Sequence, residues 1–393
     1  MVSQPGRGDL TDARRILAVQ GLRAFAYGLG SVVIGITLAE QGLSSLEAGL
    51  VLAALLVGMA VVSVLLARFG DRVGRRRAYR ALLLAMGVSG AVFAVTGSVV
   101  WFVLAALTGT ISTDVVESGP FTSLEQAMLP FTAEGSVTRL FGTYNIVATL
   151  AGSIGALAAG AAELADVTPQ RLLLLYPVVA VLGLVVAAGL SPALDAAPRS
   201  TGERPLERSR GVVARLSGLF ALDSFGGGFV VQAYIAYWFT REWGTSPATL
   251  GAIFFLVGIL QAGSFAAAVR LSHRIGLVRT MVFTHLPSNV LLAAIPFAPT
   301  ETGAIALLLA RFALSQMDVP ARQALVVGVV APEERTAAAA YTNTARYVTR
   351  PVGTLCAAPL AQAALGAPFV VAGVIKSVYD LGFFAAFRRL DLR

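Results

Sequence analysis

Apolar residues run along this chain in blocks separated by short segments where arginine, glycine and proline gather. A helix that crosses a bilayer needs about 20 mostly apolar residues. The block edges predict twelve such spans, at 18–39, 46–68, 79–97, 99–129, 138–161, 172–190, 213–239, 249–270, 279–298, 303–330, 335–358 and 367–387. No connection between them is long enough for a separate soluble domain. The expected fold class is an all-α integral membrane protein with twelve transmembrane helices.

The connections alternate in charge. One side carries Arg7, Arg14, Arg15, the run from Arg68 to Arg80, Arg139, the segment from Arg199 to Arg215, Arg270 to Arg279, Arg335 and Arg388 to Arg393. The other carries Arg171 and Arg241 with Glu40, Glu163, Asp166, Glu242 and Glu301. Arginine and lysine accumulate in cytoplasmic loops, so both termini are expected in the cytoplasm, with the chain multi-pass in a cytoplasmic (inner) membrane. The polar, basic start of the chain has no apolar core followed by a small-residue cleavage site, so a cleaved signal peptide is not expected. The stretch SPALDAAPRSTGERPLERSR from Ser191 is rich in proline and charge and stands at the chain's midpoint. It predicts an N-terminal six-helix bundle over 1–190, a cytoplasmic linker over 191–212 and a C-terminal six-helix bundle over 213–393.

Composition supports the membrane reading. The chain is 56% hydrophobic and 13% charged, against about 45–50% and about 25% for soluble domains. The net charge of +8 lies in the loops and calls for no nucleic acid partner. Cys356 is the single cysteine, and His273 and His285 stand far from a second type of ligand in the sequence. A metal site, a cofactor and histidine-based catalysis are therefore not expected. No G-x4-G-K-[ST] phosphate loop occurs, so ATP is not expected to drive the protein directly.

The two halves read as repeats. QGLRAFAYG from Gln20 parallels FALDSFGGG from Phe220, with Leu22, Phe25 and Gly28 matching Leu222, Phe225 and Gly228. GDRVGRRR from Gly70 parallels SHRIGLVR from Ser272, EQAML from Glu125 parallels RQALV from Arg322, and the run ending at Asn145 parallels that ending at Asn343. Paired repeats place a transport site at their interface near the membrane midplane.

The segment Ala67-Arg68-Phe69-Gly70-Asp71-Arg72-Val73-Gly74-Arg75-Arg76 resembles the loop motif that the major facilitator superfamily carries between its second and third helices, with Ala67 in place of the first glycine. With its two six-helix halves, nearly the whole chain resembles that superfamily. The resemblance implies two pseudo-symmetric bundles, a central cavity lined by spans 1, 4, 7 and 10, and a gating role for Asp71, Arg72, Gly74, Arg75 and Arg76. Asp71 would meet the N-terminal amides of the third helix, and Arg72 and Arg75 would meet acidic groups or helix C-terminal carbonyls. Two departures stand out. The family's common fourth-helix arginine is replaced by acidic residues, and the fifth-helix stretch LAGSIGALAAG lacks the Gly-Pro step of typical proton-drug antiporters.

Charges inside the spans are the sharpest candidate chemistry, because a central charge costs about 2.5–3.5 kcal/mol on insertion scales. They are Arg23, Asp114, Glu117, Glu125, Asp223, Arg311, Asp318, Arg322, Arg346, Arg350, Lys376 and Asp380. At about 100° per residue, Asp114, Glu117 and Glu125 fall towards one face. So do Arg311, Asp318 and Arg322; Asn343, Arg346 and Arg350; and Asp223, Tyr234 and Tyr237. Candidate substrate or proton-coupling residues are Arg23, Asp114, Glu117, Glu125, Asp223, Asp318, Arg322, Arg346, Arg350, Asn145, Asn343 and Tyr234. The repeat alignment sets Arg23 against Asp223 and Glu125 against Arg322, so at least one such pair is expected to meet between the halves. The bland alternative is fixed structural pairing, as in Asp318 with Arg322 or Lys376 with Asp380 on their own helices. Lys376 and Asp380 are expected to be structural. The function expected is secondary transport of a small solute, proton-coupled efflux of a polar or anionic organic compound by a monomer. Proton-coupled efflux of cationic or amphiphilic drugs is the alternative, and a non-transporting receptor or scaffold a third reading.

Overall fold

A computed structural model describes residues 8–112, 119–129, 137–161, 166–195, 206, 208–331 and 334–388. The described elements are helices: α1 (Gly8–Glu40), α2 (Ser45–Val73), α3 (Arg75–Val95), α4 (Val99–Leu107), α5 (Pro120–Met128), α6 (Val137–Leu157), α7 (Leu175–Ala188), α8 (Arg210–Phe229), α9 (Gln232–Trp243), α10 (Pro247–Ile275), α11 (Leu277–Ala294), α12 (Glu301–Ser315), α13 (Asp318–Gly328), α14 (Arg335–Ala363) and α15 (Ala367–Phe387), with short 3-10 turns between some of them. Among the described residues, ten helical stretches are long and apolar enough to cross a membrane.

The two predicted spans missing from those ten have identifiable causes. The span at 99–129 is not one helix. α4 ends at Leu107, residues 109–112 are non-helical and α5 restarts at Pro120. Gly109 adopts φ +66°, and a Cβ there would lie 2.3 Å from Gly58 O, so the chain turns against the backbone of α2. Only glycine reaches this conformation and approach without a steric penalty. The span at 335–358 is continuous, but α14 carries Tyr341, Asn343, Arg346 and Arg350 and is too polar to qualify on composition.

Two further spans are interrupted. In the seventh, α8 stops at Phe229 and α9 starts at Gln232. In the tenth, Gln316 and Met317 separate α12 from α13. Pro320 lies in the first turn of α13, where its missing N–H is tolerated but its ring disfavours helix through residue 316. Counting 100° per residue across such breaks is invalid. The faces expected for Asp223–Tyr234–Tyr237 and for Arg311–Arg322 therefore do not exist as continuous stripes, and Asp114 of the third expected face lies outside the described residues.

The described chain forms two compact units. The first comprises Met1–Leu43, Val51–Arg199 and Gln232–Phe255. In it α1 packs against α6, α7 and α9, and α3 against α7. The second comprises Ser44–Leu50, Ser200–Val231 and Leu256–Arg393, with α8 against α14 and α15, and α11 against α12, α13 and α15.

Helix contacts in both units rest on glycine. In the first, a Cβ on Gly155 would lie 1.9 Å from Phe25 O, and one on Gly28 the same distance from Gly152 O. In the second, a Cβ on Gly353 would lie 2.0 Å from Phe225 O, and one on Gly228 lies 2.1 Å from Arg350 O. Lipid is as apolar as leucine, so close packing of small residues replaces the hydrophobic effect as the force between membrane helices. The repeated Phe-x-x-Gly of the two halves is thus a repeated helix crossing.

The distribution of side chains is inverted relative to a water-soluble protein. Val95 is 76% and Val185 69% exposed, while Glu125 is fully buried and Asp380 1% exposed. Apolar side chains face outwards where lipid is the solvent, and charges are withdrawn inside.

Candidate functional site

In the first unit one carboxylate gathers four helices. Glu125 on α5 takes Arg23 Nη2 of α1 at 2.6 Å, the Tyr79 hydroxyl of α3 at 2.6 Å and the Tyr144 hydroxyl of α6 at 2.5 Å. Arg23 also donates to Gln20 Oε1, one turn earlier, and its guanidinium lies 5.1 Å and 4.9 Å from the ring centres of Tyr27 and Phe121. Each ring presents its negative face to the cation. Tyr27 in turn donates to Thr110 O at 2.8 Å, beside the glycine turn. Charge, hydroxyls and rings together let a full ion pair stay dry.

In the second unit the corresponding charges form a larger cluster. Asp223 on α8 accepts Lys376 Nζ of α15 in a close ion pair, with Arg322 Nη1 of α13 at 3.8 Å and His285 Nε2 of α11 at 3.8 Å. Arg322 also reaches Asp318 at 3.4 Å. The other nitrogen of His285, Nδ1, lies 2.9 Å and 3.0 Å from the two oxygens of Asp380, which also accepts Asn289 Nδ2 at 2.8 Å. Every member is buried.

Arg23 takes Glu125, and Asp223 takes Lys376 and Arg322, each inside its own unit. Side chains from neighbouring helices of one bundle are held at fixed contact distance, which the sequence alignment does not encode. Lys376 and Asp380 do not pair on their helix as proposed. Lys376 turns to α8 and Asp380 to α11, while Asp318 and Arg322 do pair. Histidine 285, set aside on sequence spacing, stands between two carboxylates. Its position in a predicted span was the available signal. Tyr79 was unmarked, and Tyr144 reads in the sequence as a substrate contact or an interface anchor rather than as a partner of Glu125.

Other candidates are placed as follows. Asp114 and Glu117 lie outside the described residues, as do the side chains of Asp71 and Arg72 within α2. Arg346 and Arg350 are half-buried on α14, with Asn343 exposed one turn before Arg346. Asn145 is exposed, and Tyr234 is buried on α9, its ring 6.0 Å from that of Tyr237.

The loop motif is almost entirely helical. α2 continues through Val73 and α3 starts at Arg75, leaving Gly74 with φ +90° as the turn. Its repeat partner Gly276 has φ +86° between α10 and α11. An acidic group at the start of α3 is Asp195, which accepts the Arg76 N–H at 2.9 Å and Arg76 Nε at 2.8 Å. Burial pushes its carboxyl up, but the amides and guanidinium of Arg76 outweigh that and hold it below the usual carboxylate range. Arg76 also donates to Leu190 O at 2.8 Å, Arg80 to Ala187 O and Ala188 O at 3.3 Å, and Arg15 to Gly189 O. Three arginines therefore meet the carbonyl-rich, negative end of α7.

A family model described as Major Facilitator Superfamily matches residues 16–354. The uncharacterized membrane protein YJR124C of Saccharomyces cerevisiae is 25% identical over 426 residues, spanning 97% of this chain and 95% of that protein. Among solved structures, the nucleoside transporter NupG matches with a TM-score of 0.76 at 12% identity, over 96% of this chain and 99% of that one. A bacterial homolog to the human lysosomal transporter Spinster matches with a TM-score of 0.74 at 15% identity, over 98% of both chains. A D-xylose-proton symporter matches with a TM-score of 0.71 at 16% identity, over 95% and 97%. At these identities the structural likeness concerns the fold. The family match over most of the chain, the outward apolar surface and the duplicated helix crossings agree, and the protein belongs to the Major Facilitator Superfamily, as a multi-pass membrane transporter rather than an enzyme.

Proposed function

We propose that the protein moves a small polar or anionic organic solute by alternating access, coupled to protons and in the efflux direction. The observation that carries this reading is the pair of buried ion clusters at repeat-related positions, Arg23 with Glu125 and Asp223 with Arg322. Charges withdrawn from lipid at such cost mark solute or proton paths. Arg346 and Arg350, one turn apart on α14, supply guanidinium groups suited to a carboxylate or phosphate. The polar cargo fits the nucleoside and D-xylose named for two structural neighbours, and the proton fits the symporter among them. Cationic drug efflux is less well supported, because Glu125 and Asp223 already hold cations of the protein itself. The reading includes a monomer, built from a bundle over 1–190, a linker over 191–212 and a bundle over 213–393, in a cytoplasmic membrane with both termini inside.

Purified protein in liposomes, offered a panel of organic anions, nucleosides, sugars and cationic dyes under an imposed pH gradient, tests it. Accumulation driven by the gradient and lost in Arg346→Gln supports an anionic cargo. Dye movement retained in Arg346→Gln and lost in Glu125→Gln favours the cationic reading. Accumulation that follows the proton into the lumen, rather than opposing it, overturns efflux by exchange.

A further inference from the structure

Asp380 differs from Asp223 and Asp318, the other carboxylates of its cluster. Asp223 has Lys376 and Arg322, and Asp318 has Arg322. The hydrogen-bonding partners of Asp380 are the imidazole of His285 and the amide of Asn289. A buried carboxylate whose hydrogen bonds come from an imidazole and an amide rather than a permanent cation is a place for a proton, on itself or on its partner. Histidine is the side chain that gains and loses one near neutral pH.

The surroundings make that proton consequential. Facing the imidazole are Asp223 from α8, Asp318 and Arg322 from α13, and Lys376, Tyr379 and Asp380 from α15, with the ring of Tyr379 centred 6.0 Å away. Arg311 of α12 adds a cation whose field reaches Asp223. Three carboxylates stand against Arg311, Arg322 and Lys376, so the imidazole proton sets the net charge. When His285 is neutral and donates from Nδ1 to Asp380, Nε2 presents a lone pair to Asp223 Oδ1. When it is charged, Nε2–H presents a donor at 3.8 Å from the same oxygen.

We propose that His285 and Asp380 form a proton-binding pair, and that its occupancy sets how α11 and α15 hold Asp223 on α8. Binding takes one proton from water onto the imidazole, and release returns it. Asp223 lies two turns before the break at Val230 and Val231. It precedes Gly226, where a Cβ would lie 2.8 Å from Lys376 Cγ. The proton thus acts on the contact between α8 and α15 next to the place where the seventh span bends. This deepens the proton-coupled reading above and rests on it for its role in transport.

The protein has two histidines, and His273 is exposed at the end of α10. His273→Gln leaves one imidazole, observable by NMR in full-length protein with labelled histidine. The pair requires the imidazole signals to change with pH, and that change to move in Asp380→Asn. Hydrogen exchange of residues 220–231 should depend on pH across that transition and become flat when His285→Gln is added. An imidazole that does not titrate, a midpoint unmoved by Asp380→Asn, or pH-dependent exchange that survives His285→Gln overturns the proposal. If His285→Gln does not fold, the Asp380→Asn titration decides. Proton binding without gradient-driven transport leaves the pair standing and removes the proton-coupled reading instead.

Discussion

At the scale of the residue, Glu125 shows what a membrane interior demands. Its carboxylate is fully buried and answered by one guanidinium and two phenols. Removing one partner of a buried ion pair strands the other, which costs about 3–5 kcal/mol, whereas removing both leaves nothing charged to strand. Glu125→Gln should therefore lower unfolding free energy in detergent by about that amount. Arg23→Gln together with Glu125→Gln should recover most of the loss. A double variant no better than the single one would mean that the two charges are independent. The sequence displayed these charges plainly, since an ionisable residue in an apolar run is conspicuous. It concealed the neutral hydroxyls of Tyr79 and Tyr144, because a tyrosine in a span reads equally as interface anchor or core.

At the scale of the element, two glycine crossings and one clamp hold the helices. Gly155 against Phe25 O and Gly353 against Phe225 O leave no room for a methyl group. Overpacking of this kind costs about 1–3 kcal/mol. Gly155→Ala and Gly353→Ala should each destabilise the protein by that order in thermal unfolding, while Gly263→Ala, with open space around its Cβ position, should stay near wild type. The clamp of α3 on α7 depends on ionised Asp195. Its folded-state carboxyl titrates below the usual value, near 4 for an aspartate, approximately. The contribution is therefore complete above the unfolded value and is lost as pH falls through the lower folded one. Amide exchange at Arg75 and Arg76 should accelerate in acid below that range, and Asp195→Asn should show the acid rate at neutral pH. The motif itself drew attention to Asp71. The side chain of Asp71 lies outside the described residues, and an acid that does meet the third helix comes from residue 195, over a hundred positions later, where no local spacing pointed.

At the scale of the whole molecule, the alternating arginine segments remain the basis for orientation. Ser200→Cys in a Cys356→Ser background places one thiol in the central linker. In cells, an impermeant maleimide should label it only after the membrane is opened; labelling of intact cells would reverse the proposed topology. The interruptions of the fourth, seventh and tenth spans also belong to this scale. Each was read as one helix because an apolar run has the same composition whether or not it bends. Gly109, Pro120 and Pro320 mark two of the bends, and their glycine and proline chemistry was readable in advance. The break at Val230 and Val231 follows the run Gly226 to Gly228, which lies within the last turn of α8 and whose freedom to unwind was equally readable.

By itself the chain's pattern determined that this is a helical membrane protein made of two related halves, because hydropathy and turn glycines are local properties. Gly74 and Gly276 show it: both fell in aligned segments, and both turn with positive φ. Tertiary structure alone decided which charges are partners. Arg23 and Asp223 are readable as equivalent positions, but an ion pair forms between atoms brought within about 4 Å. That proximity comes from the packing of α1 with α5 and of α8 with α13 and α15, not from order along the chain. His285 acquires its two carboxylates in the same way, one from α8 and one from α15.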